Sequence, residues 1–216
     1  MIIKVEGGLG NQLFFYAYGL YQRQKGYKVR YNLQWYEQKI EGRDYLLDSL
    51  YSGIKTTKKT PPVGWKYYQE YRYADSVKKQ MMLPHDDIDA VAVHVRRGDT
   101  LEVSYPFNLS ADYYRNILKM YPDKEVYIFS DDIPWCKEHL PDYKYIDKGV
   151  LESFHLMRSC RIKVIANSTY SWWAAFLSNH TEVIAPDMWF KKERKRKHRH
   201  YEKNIIHPTW KKMPSC

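Results

Sequence analysis

The sequence predicts an α/β protein built from two doubly wound halves that face each other across a cleft, the first half shortened. Short apolar runs bounded by polar turns recur along the chain, each followed by a stretch of helical spacing. That is the pattern of βαβ units with right-handed crossovers. The 216 residues, 44% hydrophobic and 16% aromatic, are enough to bury a sizeable core. The alternation also starts twice, at the first residues and again after the polar sequence HDDID. This places a boundary near residue 85 and gives halves of 1–85 and 86–216.

Each element has its own justification. In the first half, IIKV at 2–5 reads as a strand and 11–25 as an aromatic helix. Gly26 is the stop signal, and residues 27–32 read as a second strand. Residues 40–85 follow no clear period; they hold the loop TTKKTPPVG and a tyrosine-rich stretch. In the second half, IDAVAVHV at 88–95 is a continuous apolar run suited to a strand buried on both faces. Ser110 can cap a helix to about Met120. EVYIFS at 125–130 is the next strand, after which Asp131 and Pro134 open a short helix. YKYID at 143–147 is a weaker strand, 151–160 is amphipathic, and RIKVIA at 161–166 is a strong strand. Ser171 can cap the helix SWWAAFLS, whose Trp172 and Trp173 are expected in the core, and TEVIAP at 181–186 closes the series.

Composition narrows the function classes. Cys136, Cys160 and Cys216 are odd in number and scattered, which argues against a disulfide framework and for a reducing compartment. No signal-peptide pattern opens the chain and no window has the apolar length of a membrane span, so a cytoplasmic protein is expected. Of the formal charge of +10, the run KKERKRKHRHYEK from Lys191 to Lys203 carries +6, with eight Lys or Arg against two Glu. Such a run is either a solvated segment or a contact for nucleic acid or an anionic membrane face. Tyr201 is its only aromatic, so it has no stacking platform for a single strand. Nucleic acid is not expected as a partner; peripheral contact with an inner membrane face is compatible.

Ligands of open α/β sheets bind where strands end and helices begin. Four polar motifs fall at such points: GGLGNQ, HVRRGD, SDD and NSTYSWW. In HVRRGD, Arg96 and Arg97 need anionic partners, and a planar guanidinium fork suits phosphate oxygens. One of them can instead pair with Asp99 to hold the turn. His94 is either a donor to a phosphate or sugar, or a satisfied core histidine. Asn167, Ser168, Thr169 and Ser171 surround a helix start whose free N–H groups attract anions, where plain capping would need one of them. Of Asp131 and Asp132, one can cap the next helix and the other accept from a ribose hydroxyl or a base.

GGLGNQ lacks the third glycine of a dinucleotide fingerprint, Leu13 standing in its place. Gly7, Gly8 and Gly10 can still let the backbone approach a sugar, with Asn11 and Gln12 donating to it. Asp87 and Asp89 have a metal-site spacing but precede their strand, at the wrong end of the sheet. His198 and His200 have no zinc-type co-ligands, and there is no serine elbow. The residues imply a cleft that grips a diphosphate without a metal, as a nucleotide-sugar site would.

GGLGNQLFFYA, HVRRGD, FSDD and NSTYSWWAAFLS, in that order, resemble the bacterial-type α-1,2-fucosyltransferases. More loosely they are similar to the wider group that includes the α-1,6- and protein O-fucosyltransferases. NIIHPTW at 204–210 is similar to the family's closing motif, and the resemblance covers 1–30 and 88–210. It implies a GT-B-like enzyme with an acceptor-side domain at 1–85 and a GDP-fucose-binding domain at 86–216. It further implies inverting transfer of L-fucose to a galactose-type glycan, free or lipid-linked, with no cofactor or metal. By the same resemblance Arg96 binds the β-phosphate and stabilises the leaving GDP, with Arg97 as its companion. His94 and Asp131 or Asp132 contact the nucleotide, and Ser168, Thr169 and Ser171 hold the diphosphate. Asn11 faces the fucose, brought close by Gly7, Gly8 and Gly10. Asp99 and Glu102 are the nearest carboxylates for a general base, although Asp99 can instead orient an arginine. The interval between GGLGNQ and HVRRGD is shorter than is usual in the family, which leaves a non-catalytic nucleotide- or glycan-binding module, or a different linkage, as alternatives.

Overall fold

The structure is a computed structural model that describes residues 1–61, 67–98, 108–179, 182–190 and 204–215. Asp99, Glu102 and the run 191–203 lie outside the described residues. The chain divides into two compact units, Met1–Leu83 and Pro84–Cys216.

The first unit is a single βαβ turn with additions. Strand β1 (Ile2–Lys4) and strand β2 (Arg30–Asn32) pair in parallel around helix α1 (Leu9–Gln24). Gly26 ends α1 as expected. At φ +87° it turns the chain left-handed, so that Gly26 N–H reaches Arg23 O and Tyr27 N–H reaches Gln22 O. These are the two bonds that close a helix behind a glycine. The unperiodic region holds two short 3-10 helices, Gln34–Gln38 and Leu47–Ser49, and an unforeseen helix α2 (Tyr71–Met81) that packs on α1. Only Ala74, Val77 and Met81 of α2 are buried, too thin a stripe to stand out in the sequence.

The second unit is a six-stranded, wholly parallel sheet. Its elements are β3 (Ile88–Val95), α3 (Ala111–Leu118), β4 (Glu125–Ser130), α4 (Ile133–His139), β5 (Lys144–Ile146), α5 (Val150–Ser159), β6 (Cys160–Val164), α6 (Thr169–Phe176), β7 (Glu182–Pro186) and β8 (Lys211–Met213). The order across the sheet is β5-β4-β3-β6-β7-β8, and β8 was not foreseen. Val91, Val93 and Val95 face α3 and α4 through Tyr113, Tyr114, Ile117 and Leu140. The alternate residue His94 faces α5 and α6, where Tyr170 packs on it and Phe154 packs on Tyr170. Trp172 and Trp173 are fully buried.

Two cations, Arg158 and Lys163, are buried. Arg158 donates through Nε and Nη2 to Leu177 O, at the carboxyl end of α6, where the helix dipole favours a cation, and through Nη1 to Pro84 O. Lys163 Nζ donates to Cys160 O, and burial pulls the amine down to about 7. Cys136 and Cys160 are buried and unbridged. Among the described residues, no helix is long and apolar enough to cross a membrane.

Candidate active site

Successive strands run β3, β4, β5 to one side, and the chain then returns to lay β6, β7 and β8 on the other side of β3. The crevice outside the carboxyl ends of β3 and β6 is therefore the topological switch point, the place where open parallel sheets bind ligands. Val93 is registered with Val164, so Arg96 and Asn167, each three residues further on, leave adjacent strands at the same level. HVRRGD, SDD and NSTYSWW follow β3, β4 and β6, and all three lie on one edge of this sheet.

Both arginines are held by the turn after β4. Arg96 Nη1 lies 2.6 Å from Asp131 Oδ2, and Arg97 Nε donates to Asp132 Oδ2 at 3.1 Å. Arg97 N–H donates to Asp131 Oδ1 at 2.8 Å, and the guanidinium carbon of Arg97 sits 4.1 Å over the Trp135 ring. The side chains are 25% and 20% exposed, so neither points into bulk water. The alternative pairing with Asp99 lies outside the described residues; within them the two arginines and the two aspartates form a four-residue network between two strands. Gly98 makes room for it, since a Cβ there would come within 2.5 Å of Asp131 Oδ2. Asp132, not Asp131, caps α4, by accepting from Trp135 N–H. Ser130 Oγ in turn accepts from Asp132 N–H. Trp135 is the residue of this network that the sequence reading missed. The signal was present in Pro134-Trp135 directly after SDD, an aromatic one turn into a helix that starts at the site.

On the β6 side, Ser168 caps α6 by accepting from Tyr170 N–H. Ser171 is neither cap nor anion ligand as expected. It lies inside the helix, fully buried, and its hydroxyl donates to Ser168 O at 3.3 Å. Asn167 Nδ2 donates to Met188 O and Trp189 O at 2.8 and 2.6 Å. Its Oδ1 is buried and without a partner among the described residues, and so is His94 Nδ1. The satisfied-core reading of His94 therefore fails. Burial lowers its pKa to about 3, with Arg96 adding to the effect, so the ring is neutral. Thr169 stands half-buried at the first position of α6. Two orphaned buried polar atoms, two guanidiniums and a helix start thus lie at or just beyond the carboxyl ends of the adjacent strands β3 and β6, on one edge of the sheet.

The glycine turn of the first unit differs from the expectation at one position. Gln12 is fully buried and its amide is saturated. Nε2 donates to Gly7 O and Asp44 O, and Oε1 accepts from Leu46 N–H. It staples the 44–46 segment to the turn and cannot serve a ligand. Gly7, at φ +79°, and Gly8 leave space for the unit's own side chains: a Cβ would come within 2.7 Å of Asn11 Nδ2 at the first and 2.9 Å of Arg43 Nη1 at the second. Gly8 precedes α1 and Gly10 is buried in its first turn. Asn11 is half-buried, and its Oδ1 accepts from Gln69 Nε2 at 3.0 Å.

Asp87 and Asp89 are surface residues, as their position at the strand start predicts. Asp87 takes a bidentate Arg161 and Asp89 takes Lys124. Among the described residues, no three His, Cys, Asp or Glu cluster as metal ligands would.

Residues 68–211 match Glycosyl transferase family 11. Alpha-1,2-colitosyltransferase of Escherichia coli is 33% identical over 123 residues, 49% of this chain and 42% of that protein. The O-antigen biosynthesis glycosyltransferase WbnK of Escherichia coli is 30% identical over 122 residues, 49% of this chain and 40% of that protein. The chain thus spans less than half the length of these relatives. Among solved structures, the E. coli heptosyltransferase WaaC with ADP is similar at a TM-score of 0.45 and 10% identity over 86% of either chain. The family match takes in the arginine pair, the aspartates and the Asn-Ser-Thr helix start together, over two thirds of the sequence, and on it the chain belongs to glycosyl transferase family 11.

Proposed function

We propose that the protein is a metal-independent, inverting glycosyltransferase that moves L-fucose from GDP-fucose to a hydroxyl of a galactose-type glycan, in α-1,2 linkage. The observation that carries this reading is the switch-point crevice of the second unit, where Arg96 and Arg97 are fixed by Asp131 and Asp132 beside the orphaned His94 Nδ1 and Asn167 Oδ1. Breaking the anomeric bond leaves positive charge on the sugar and negative charge on the departing diphosphate. A guanidinium already oriented by a carboxylate meets that negative charge without reorganising, which is the usual source of a large electrostatic gain.

In this reading Arg96 takes the β-phosphate and Arg97 supports it. Ser168, Thr169 and the α6 start hold the diphosphate, and His94 and the aspartate turn contact the nucleotide. Asn11 is assigned to the transferred sugar, and Asp99 or Glu102 removes the acceptor proton. Arg96→Ala is expected to lower kcat by about two to three decades, the worth of one preorganised donor, while the protein stays folded. Transfer at the wild-type rate by a folded Arg96→Ala protein removes Arg96 from this role. GDP binding with neither transfer nor donor hydrolysis identifies a binding module instead.

The similarity to a colitosyltransferase favours a second reading, in which the transferred sugar is colitose. Parallel assays with fucosyl and colitosyl donors and a panel of galactosides, read by mass spectrometry, separate the two.

A further inference from the structure

We infer that Trp135 is a positioning residue for Arg97. Its indole and the Asp132 carboxylate together hold the Arg97 guanidinium in one fixed orientation before a donor diphosphate binds. The inference rests on the donor-binding role proposed for Arg97.

Arg97 is restrained at three points. Its main-chain N–H is bonded to Asp131, its Nε to Asp132, and one face of its guanidinium lies 4.1 Å over the Trp135 ring. Asp132 engages the guanidinium at Nε, so its in-plane rotation is set by a carboxylate while the indole sets its tilt. An arginine loses much rotamer freedom when it is fixed in one pose. A guanidinium over an indole offsets a good part of that loss before any ligand arrives. Trp135 is itself immobilised. Its N–H caps onto Asp132 Oδ1, its carbonyl lies 3.0 Å from His139 Nδ1, and its ring stacks on His139 at 4.4 Å and 13°. His139 O in turn accepts from Arg115 Nε of α3. One carboxylate, Asp132, thus serves both the helix that carries the indole and the arginine that the indole supports. Lysine has neither the planar face nor an Nε to occupy these partners.

The test uses the full chain with Trp135→Phe, Trp135→Leu, Arg97→Lys and the double variant Trp135→Leu/Arg97→Lys. Donor KM and kcat are measured with GDP-fucose, and thermal unfolding is followed without ligand. Trp135→Leu is expected to raise donor KM about tenfold with kcat within about twofold, and Trp135→Phe to restore most of it. Arg97→Lys should raise KM by a similar factor, and the double variant should be no worse than the poorer single one, because both remove the same restraint. Multiplying effects in the double variant, a Phe variant no better than Leu, or a fall in kcat with KM unmoved each overturn the inference. The unfolding cycle is independent of donor identity. Trp135→Leu should lower the melting temperature less in the Arg97→Lys background than in wild type, and equal losses show that the indole does not hold the guanidinium. If GDP-fucose fails to bind the wild-type protein, the donor assignment falls, while the unfolding cycle still decides whether Trp135 restrains Arg97.

Discussion

Asn11 and Gln12 carry the same functional group on adjacent residues and meet opposite fates. Gln12 points inward and is saturated by main-chain partners, whereas Asn11 stays half-buried at the turn. Gln12→Ala leaves the part-buried Leu46 N–H and two carbonyls with lost bonds and empties a fully buried site, so unfolding in urea should show a destabilisation of about 2 kcal/mol. His94 sets a second residue-level expectation. Its pKa lies near 3 when folded and near 6.5 in the unfolded chain, because burial disfavours the imidazolium. Between those values the unfolded state binds the extra proton. The His94 contribution to stability is therefore complete above pH 6.5 and is lost as pH falls toward 3. Urea midpoints at pH 7 and pH 4 should differ less in His94→Leu than in wild type; an equal drop shows that another group titrates on the acid side.

Helix α4 links local folding to the site. Asp132 supplies its cap through one carboxylate oxygen and grips Arg97 through the other. Asn caps nearly as well as Asp but brings no charge. Asp132→Asn should therefore keep the melting temperature within a few degrees while raising donor KM severalfold, whereas Asp132→Ala should lose both, the cap being worth about 1 kcal/mol. In α6, a run of hydroxyls at Ser168, Thr169 and Ser171 made several caps readable. The structure takes Ser168 and turns Ser171 inward, onto the carbonyl three residues back. A sequence supplies the capping chemistry here, but the helix phase that selects among neighbouring hydroxyls follows from which face Trp172 and Trp173 bury. Helix α2 escaped notice for a related reason, since its apolar stripe is only three residues deep and its Glu70 cap position makes no side-chain bond.

At the scale of the molecule, charge is unevenly placed. The run from Lys191 to Lys203 accounts for +6 of +10, and the rest of the chain is close to balanced. We propose that this run holds the enzyme on an anionic membrane. Sedimentation with phosphatidylglycerol vesicles should weaken as salt rises and should drop when the eight cations are changed to Gln. Equal sedimentation of the two proteins would refute the membrane role. The order of the parallel sheet is the other large-scale determinant, because it makes one crevice out of motifs more than thirty residues apart.

The sequence by itself determined which polar residues end which strands. Strands buried on both faces are rich in apolar residues, so β3, β4, β6 and β7 announce themselves and their polar successors are exposed to reading. Only the tertiary structure decided the partners: that both arginines belong to Asp131 and Asp132, that Trp135 lies under Arg97, and that Gln12 is spent on the main chain. Those contacts depend on strand adjacency and on helix phase, long-range consequences of packing that no local pattern of residues encodes.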